Sequence, residues 1–164
     1  MIGFNHLGRH GRLGNQMFQY AGLRGIAAKH GYEFCIPPSD FQDQWMDHQL
    51  FEAFKLPGLT NIAVCPGPYV QEEHFHFDQN LFDRMPDGHN VYGYLQSEKW
   101  FKHIESEIRE DFEFKNNIKE PCQEMIGSVD RPIALHVRRG DYITNCDNHP
   151  CLLYTSDAAD EWIG

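Results

Sequence analysis

Apolar positions along the first forty residues switch between two periods. Residues 2–7, IGFNHL, read as a short strand, and the glycine-punctuated stretch GRHGRLGNQ follows. From Asn15 to about His30, Met17, Phe18, Ala21, Gly25 and Ala28 recur at the spacing of one helix face. YEFCIPP, residues 32–38, then reads as a second strand stopped by prolines. Strand, helix and strand at this spacing predict a βαβ unit and an α/β fold. Farther along, residues 47–55 predict a short helix, while NIAVC (61–65), YVQEEHFHF (69–77) and NVYGYLQ (90–96) predict extended chain. Residues 97–114 carry the clearest helical pattern. Ser97 suits an N-cap, Glu98 suits the positive helix start, and Trp100, Ile104, Ile108 and Phe112 repeat every four residues. A polar linker containing Pro121 leads to PIALHV, 132–137, a short apolar strand of the kind buried on both faces.

Charge narrows the partners. A formal net charge of -10 on 164 residues excludes a nucleic-acid backbone as a ligand, because no basic stripe is present to displace counterions. Any anion bound here must be held by local arginines against the field of the whole chain, which favours a small and specific anion. The five cysteines form no CxxC pair, and their odd number suits free thiols in a reducing compartment. The start, MIGFNHLGRHG, lacks the apolar core of a signal peptide, and no 18-residue apolar run exists. These features predict a soluble cytoplasmic protein without an anchor. Surface association with a membrane through a partner is compatible with them.

Three stretches carry candidate chemistry. In PIALHVRRGDY, Arg138 and Arg139 stand where a buried strand ends, the place at which open α/β sheets bind ligands. Guanidinium donates paired hydrogen bonds to phosphate oxygens and keeps its charge at pH 7. Asp141 can orient an arginine or accept a proton, and a surface Arg–Asp pair is the plain structural alternative. The embedded RGD tripeptide offers an adhesion reading, which the abutting buried strand and the lack of a secretion signal argue against. In GRHGRLGNQMFQYA, residues 8–21, glycines at 8, 11 and 14 precede a helix, so backbone N–H groups near Asn15 can face an anion; a simple strand-to-helix turn capped by Asn15 fits equally. The stretch is neither a Walker A loop nor a dinucleotide fingerprint. In EEHFHFD, a strand would put His74, His76 and Asp78 on one face, but the set lacks a third histidine at ligand spacing, and no metal is expected.

Together, GRLGNQMFQYA, GYLQSEKWF and HVRRGDY resemble the α-1,2-fucosyltransferase family in its bacterial-type, anchorless form, over essentially residues 1–150. His136, Arg138, Arg139 and Asp141 match the HxRRxD pattern shared by related fucosyltransferases. The resemblance implies a GT-B-like fold of two α/β domains with the site in the cleft between them. It implies transfer of L-fucose from GDP-fucose to a galactose hydroxyl of a glycan, with inversion and without a metal or other cofactor. Arg138 would hold the donor pyrophosphate, where charge builds as the glycosidic bond breaks. His136, Arg139 and Asp141 would assist, and the turn at Gly14, Asn15 and Gln16 would face the same cleft from the first domain. An inverting displacement also needs a general base. Asp141 and Asp147 are the local candidates, and the base can equally lie elsewhere in the cleft.

Residues 1–131 are expected to form the acceptor-side α/β domain, and 132–150 only the opening of the GDP-fucose-binding domain. Beyond Pro150 the chain departs from the family. Residues 151–161 match one reading frame of a common transposase-derived sequencing adapter, so 151–164 are expected to be a non-native tail. The chain as written is then expected to lack transferase activity and to bind GDP poorly. A non-catalytic carbohydrate- or nucleotide-binding module and a fucosyltransferase of different linkage are the alternatives that the sequence leaves open.

Overall fold

The computed structural model of the chain describes residues 1–41 and 49–133. Five parallel strands form one sheet in the order β3-β2-β1-β5-β4: β1 (Ile2–Gly3), β2 (Phe34–Ile36), β3 (Asn61–Ile62), β4 (Tyr69–Gln71) and β5 (Asn90–Tyr92). Helix α1 (Leu13–His30) connects β1 to β2, as the βαβ reading requires, and α2 (Gln49–Ala53) precedes β3. After β3 the chain crosses to the far edge, lays down β4, and passes through α3 (Gln79–Arg84) to β5 beside β1. The order therefore reverses between β1 and β5, which marks the place beyond the carboxyl ends of the strands where open α/β sheets form a ligand crevice. Contacts divide the chain into two units, Met1–Cys122 and Gln123–Gly164; the sheet and α1 to α3 belong to the first.

Ile2, Phe4, Leu7, Tyr20, Leu23, Ile26, Ile36, Val91 and Trp100 are fully buried between sheet and helices. Helix α1 lies where its pattern predicted, but it is rotated from the predicted face. Ala21 and Gly25 are buried, whereas Phe18 and Ala28 are exposed, and the core side carries Gln16, Gln19, Tyr20, Leu23, Ile26 and Ala27. The reason is polar: two glutamines lie inside because backbone N–H groups meet them. Gln16 Oε1 accepts from Leu50 N at 3.3 Å, and Gln19 Oε1 accepts from Gly8 N at 3.5 Å. A count of apolar residues alone assigns such glutamines to solvent.

Two further expectations are corrected. The helix predicted over 97–114 is broken into two 3-10 turns, Glu98–Trp100 and Lys102–Ile104, followed by α4 (Glu105–Asp111). Ser97 caps the first turn, its hydroxyl accepting from Lys99 N at 3.4 Å. The break serves the burial of Trp100 against Phe77 and Phe82, at ring separations of 4.7 and 5.9 Å. Phe101 and Ile104 leave helical geometry, with φ of -133° and -125°. The polar linker around Pro121 is instead helix α5 (Asn116–Gly127). Proline breaks the internal hydrogen bond there, but residues 121–127 are exposed, so water can satisfy the freed carbonyl. PIALHV lies outside the described residues except for its first two.

Candidate functional site

The loop from β1 into α1 sets one wall of the crevice. Gly11 adopts φ +101°, and a side chain there would meet the Asn15 amide, so only glycine allows the loop to turn tightly onto α1. Leu13, the first residue of α1, donates its N–H to Gln49 Oε1 at 2.8 Å. Asn15 therefore falls inside the first turn rather than at the N-cap, which is Arg12. Its Oδ1 accepts from Gln96 Nε2 at 2.8 Å, tying the start of α1 to the chain leaving β5. Gly14 is exposed beside it, with open space where a side chain would stand. Gln16, by contrast, is fully buried and committed to the core through Leu50. His136, Arg138, Arg139, Asp141 and Asp147 lie outside the described residues.

The other wall was not anticipated. Gln19 Nε2 donates to the carbonyls of His10 (3.2 Å) and Gly93 (3.4 Å), so one buried side chain joins the loops after β1 and β5. Glu72, the residue after β4, is 8% exposed, and its Oε2 accepts from Tyr94 N (2.8 Å) and Leu95 N (3.1 Å). A side chain on Gly93 would lie 2.6 Å from this carboxylate, so glycine is what makes room for it. Aromatic rings surround the cluster. His10 packs edge-on to Tyr92 at 4.9 Å and tilts over Tyr94 at 5.8 Å, while His6 contacts Tyr69 and Tyr92. Phe75 lies against Tyr94 at 5.6 Å and is 74% exposed. The loops after β1, β4 and β5, joined by Gln19 of α1, thus bring a carboxylate, two histidines, a buried amide side chain and an aromatic surface together at the switch point of the sheet.

The EEHFHFD stretch that includes Glu72 behaves differently from a strand. Strand β4 ends at Gln71, the rings of His74 and His76 stack at 5.0 Å, and Asp78 caps α3 by accepting from Asn80 N and Leu81 N. Among the described residues no group of three metal-ligating side chains converges.

A concavity of about 370 Å³ lies between α1 and the segment 98–112. Its lining is apolar, with Met17, Phe18, Ala21, Phe101, Ile108 and Phe112. Its rim charges are spent on one another: Lys102 meets Glu98 at 3.4 Å and Glu105 at 3.2 Å, and Arg109 meets Glu105 at 2.8 Å. Hydrogen bonds from Arg109 and then Lys102 hold the Glu105 carboxyl below its usual range, and Glu105 in turn raises Lys102. Without convergent free polar groups this groove is a weaker candidate than the crevice.

No protein-family model and no solved structure matches the chain. Curated relatives do. Galactoside alpha-(1,2)-fucosyltransferase 1 of Homo sapiens is 30% identical over 145 residues, 81% of this chain and 38% of the relative. Galactoside alpha-(1,2)-fucosyltransferase 2 of Sus scrofa is 28% identical over 144 residues, 81% of this chain and 40% of the relative. Galactoside 2-alpha-L-fucosyltransferase SEC1 of Bos taurus is 29% identical over 143 residues. The chain spans about two-fifths of the length of the relatives it matches.

Proposed function

The chain belongs to the α-1,2-fucosyltransferase family, and on that premise we propose that it is the acceptor-side part of an enzyme transferring L-fucose from GDP-fucose to a galactose hydroxyl, with inversion. The observation that carries this reading is the 30% identity over 145 residues to a galactoside alpha-(1,2)-fucosyltransferase. The parallel sheet with its crevice at the β1/β5 reversal supports the reading by offering a ligand place at the expected end of the fold. In it, the first domain extends to about residue 131 and receives the galactoside.

Donor chemistry falls to the arginine motif. Arg138, with Arg139, His136 and Asp141, meets the negative charge that develops on the departing diphosphate, which is the principal electrostatic task of the reaction. The reading gives no metal or cofactor a role. In this reading Gly14 and Asn15 face the cleft from the first domain, Gly14 also lining the groove beside α1, and buried Gln16 serves by fixing the first turn of α1. In this reading residues 1–131 contribute little to the donor site and bind GDP weakly on their own.

Calorimetric titration of the 164-residue chain with methyl β-D-galactopyranoside, GDP and GDP-fucose tests the proposal. Galactoside binding with little or no GDP binding supports it. GDP binding without galactoside binding, or fucose transfer by this chain, contradicts the division of labour described.

A further inference from the structure

Two buried polar atoms just beyond the carboxyl ends of β4 and β1 have no hydrogen-bond partner among the described residues: Glu72 Oε1 and His10 Nε2. Both belong to one connected cluster. Glu72 is anchored through its other oxygen to Tyr94 N and Leu95 N, His10 packs on Tyr92 and Tyr94, and Gln19 bonds the carbonyls of His10 and Gly93. Buried polar atoms in folded chains are almost always paired, so two orphans in one cluster call for a ligand that supplies the missing bonds. Glu72 is more than nine-tenths buried and fixed by two backbone donors, so its carboxylate is presented rather than floppy.

Resting on the reading above, we infer that Glu72 and His10 form a hydroxyl-binding subsite for the galactoside acceptor, with Glu72 Oε1 accepting the hydrogen bond of its 2-hydroxyl. The chemistry of the donors matches a sugar. A carboxylate oxygen only accepts, and a hydroxyl donates to it; the imidazole Nε2 accepts from or donates to a neighbouring hydroxyl according to its tautomer. A pyranose ring also has an apolar C–H face, and Tyr94, Phe75 and Tyr69 supply aromatic surface beside the polar pair, with Phe75 74% and Tyr69 50% exposed. Phe75, three residues from Glu72 and touching Tyr94, is the neighbour freest to move as a ring enters. An anionic ligand is disfavoured by the carboxylate itself, and a purely apolar one would leave both atoms unpaired.

The test compares methyl β-D-galactopyranoside with its 2-deoxy analogue on the 164-residue chain and on Glu72→Gln. The inference expects the parent sugar to bind at least tenfold more tightly than the 2-deoxy analogue, and Glu72→Gln to erase most of that difference while the analogue's affinity stays within twofold. Equal binding of the two sugars by the unaltered chain, or a difference that survives Glu72→Gln, overturns the subsite and leaves the family reading standing. No binding of either sugar overturns both. Oε2 of Glu72 also bridges the ends of β4 and β5, so the variant is paired with a measurement on the unaltered protein. The Glu72 carboxyl ¹³C resonance shifts on addition of the parent sugar if the subsite is real and stays in place if it is not.

Discussion

Substituting Gly25 with alanine pits helix propensity against packing. In an unencumbered helix interior the change adds about 1 kcal/mol of stability. Here the new Cβ would lie 2.0 Å from the Trp100 carbonyl oxygen, 2.8 Å from its carbon and 2.9 Å from Phe101 Cα, where ordinary contact begins at 3.4 Å. Every one of these is a backbone atom, in a segment pinned by the fully buried Trp100 ring. The carbonyl would have to retreat by more than an ångström. His103 Nε2 lies 3.1 Å from the Gly25 carbonyl, and that hydrogen bond would go with the shift. Overpacking costs about 1–3 kcal/mol and the lost hydrogen bond about 1, so the net loss after the propensity gain is about 2 kcal/mol. With a urea slope of about 2 kcal/mol/M, the unfolding midpoint followed by far-UV circular dichroism drops by about 1 M. Gly14→Ala is the internal contrast. A methyl there meets nothing within 4 Å, and the midpoint should hold or rise. A Gly25→Ala midpoint equal to or above the unaltered one would refute the close backbone contact between Gly25 of α1 and the segment at Trp100.

Three other outcomes follow from the same structure. Asp111 is buried, accepts from Tyr20 Oη at 2.6 Å and Gly58 N at 2.7 Å, and is ion-paired with Arg24; Arg24→Ala strands that carboxylate and costs about 3 kcal/mol in urea unfolding, part of which Asp111→Asn should restore in the double variant. If the second change restores nothing, charge burial is not the cause. Burial, with Cys65 adding and the N-terminal ammonium opposing, pushes the Cys35 thiol from 9.0 up to about 11. A thiol raised in the folded state stabilises fully below pH 9 and loses that contribution as pH rises through about 11, so stability should fall more steeply over this window in the unaltered chain than in Cys35→Ala. Identical slopes would contradict it. Asn15→Ala removes an exposed neutral hydrogen bond to Gln96 and should cost no more than about 1 kcal/mol, checked by the same unfolding assay.

Much of the fold is legible in the sequence because its first unit is local. The strand at Ile2–Gly3, the eighteen residues of α1 and the strand at Phe34–Ile36 follow one another with the punctuation that a βαβ unit uses. Periodicity failed where side-chain chemistry or tertiary packing overruled it. Gln16 and Gln19 sit inside because they satisfy backbone donors, which turned the buried face of α1 away from the one that Met17, Phe18 and Ala28 suggested. The four-residue repeat of Trp100, Ile104, Ile108 and Phe112 is real, yet insertion of Trp100 next to Gly25 bends the chain out of one continuous helix. The stretch around Pro121 read as a polar linker and is an exposed helix that tolerates the proline.

The candidate site divides similarly. The motif marked Gly14, Asn15 and Gln16, of which Asn15 meets Gln96, Gly14 lines the α1 groove and Gln16 lies in the core, while Gln96 lay inside the GYLQ stretch without being singled out. Glu72 gave no signal, because its importance comes from Tyr94, Leu95 and Gly93, more than twenty residues away in sequence, and nothing in EEHFHFD distinguishes a buried carboxylate from a solvated one. A glycine immediately after β5 was the available clue, since strand ends that need one often make room for something.

Galactoside binding at the sheet's switch point is read out by two-dimensional ¹H–¹⁵N spectra of the 164-residue chain titrated with methyl β-D-galactopyranoside. Saturable shifts should cluster at His10, Glu72, Gly93, Tyr94 and Gln96, beyond the carboxyl ends of β1, β4 and β5. Shifts confined to the apolar groove of α1 and α4, or no shifts at all at saturating sugar, would contradict it.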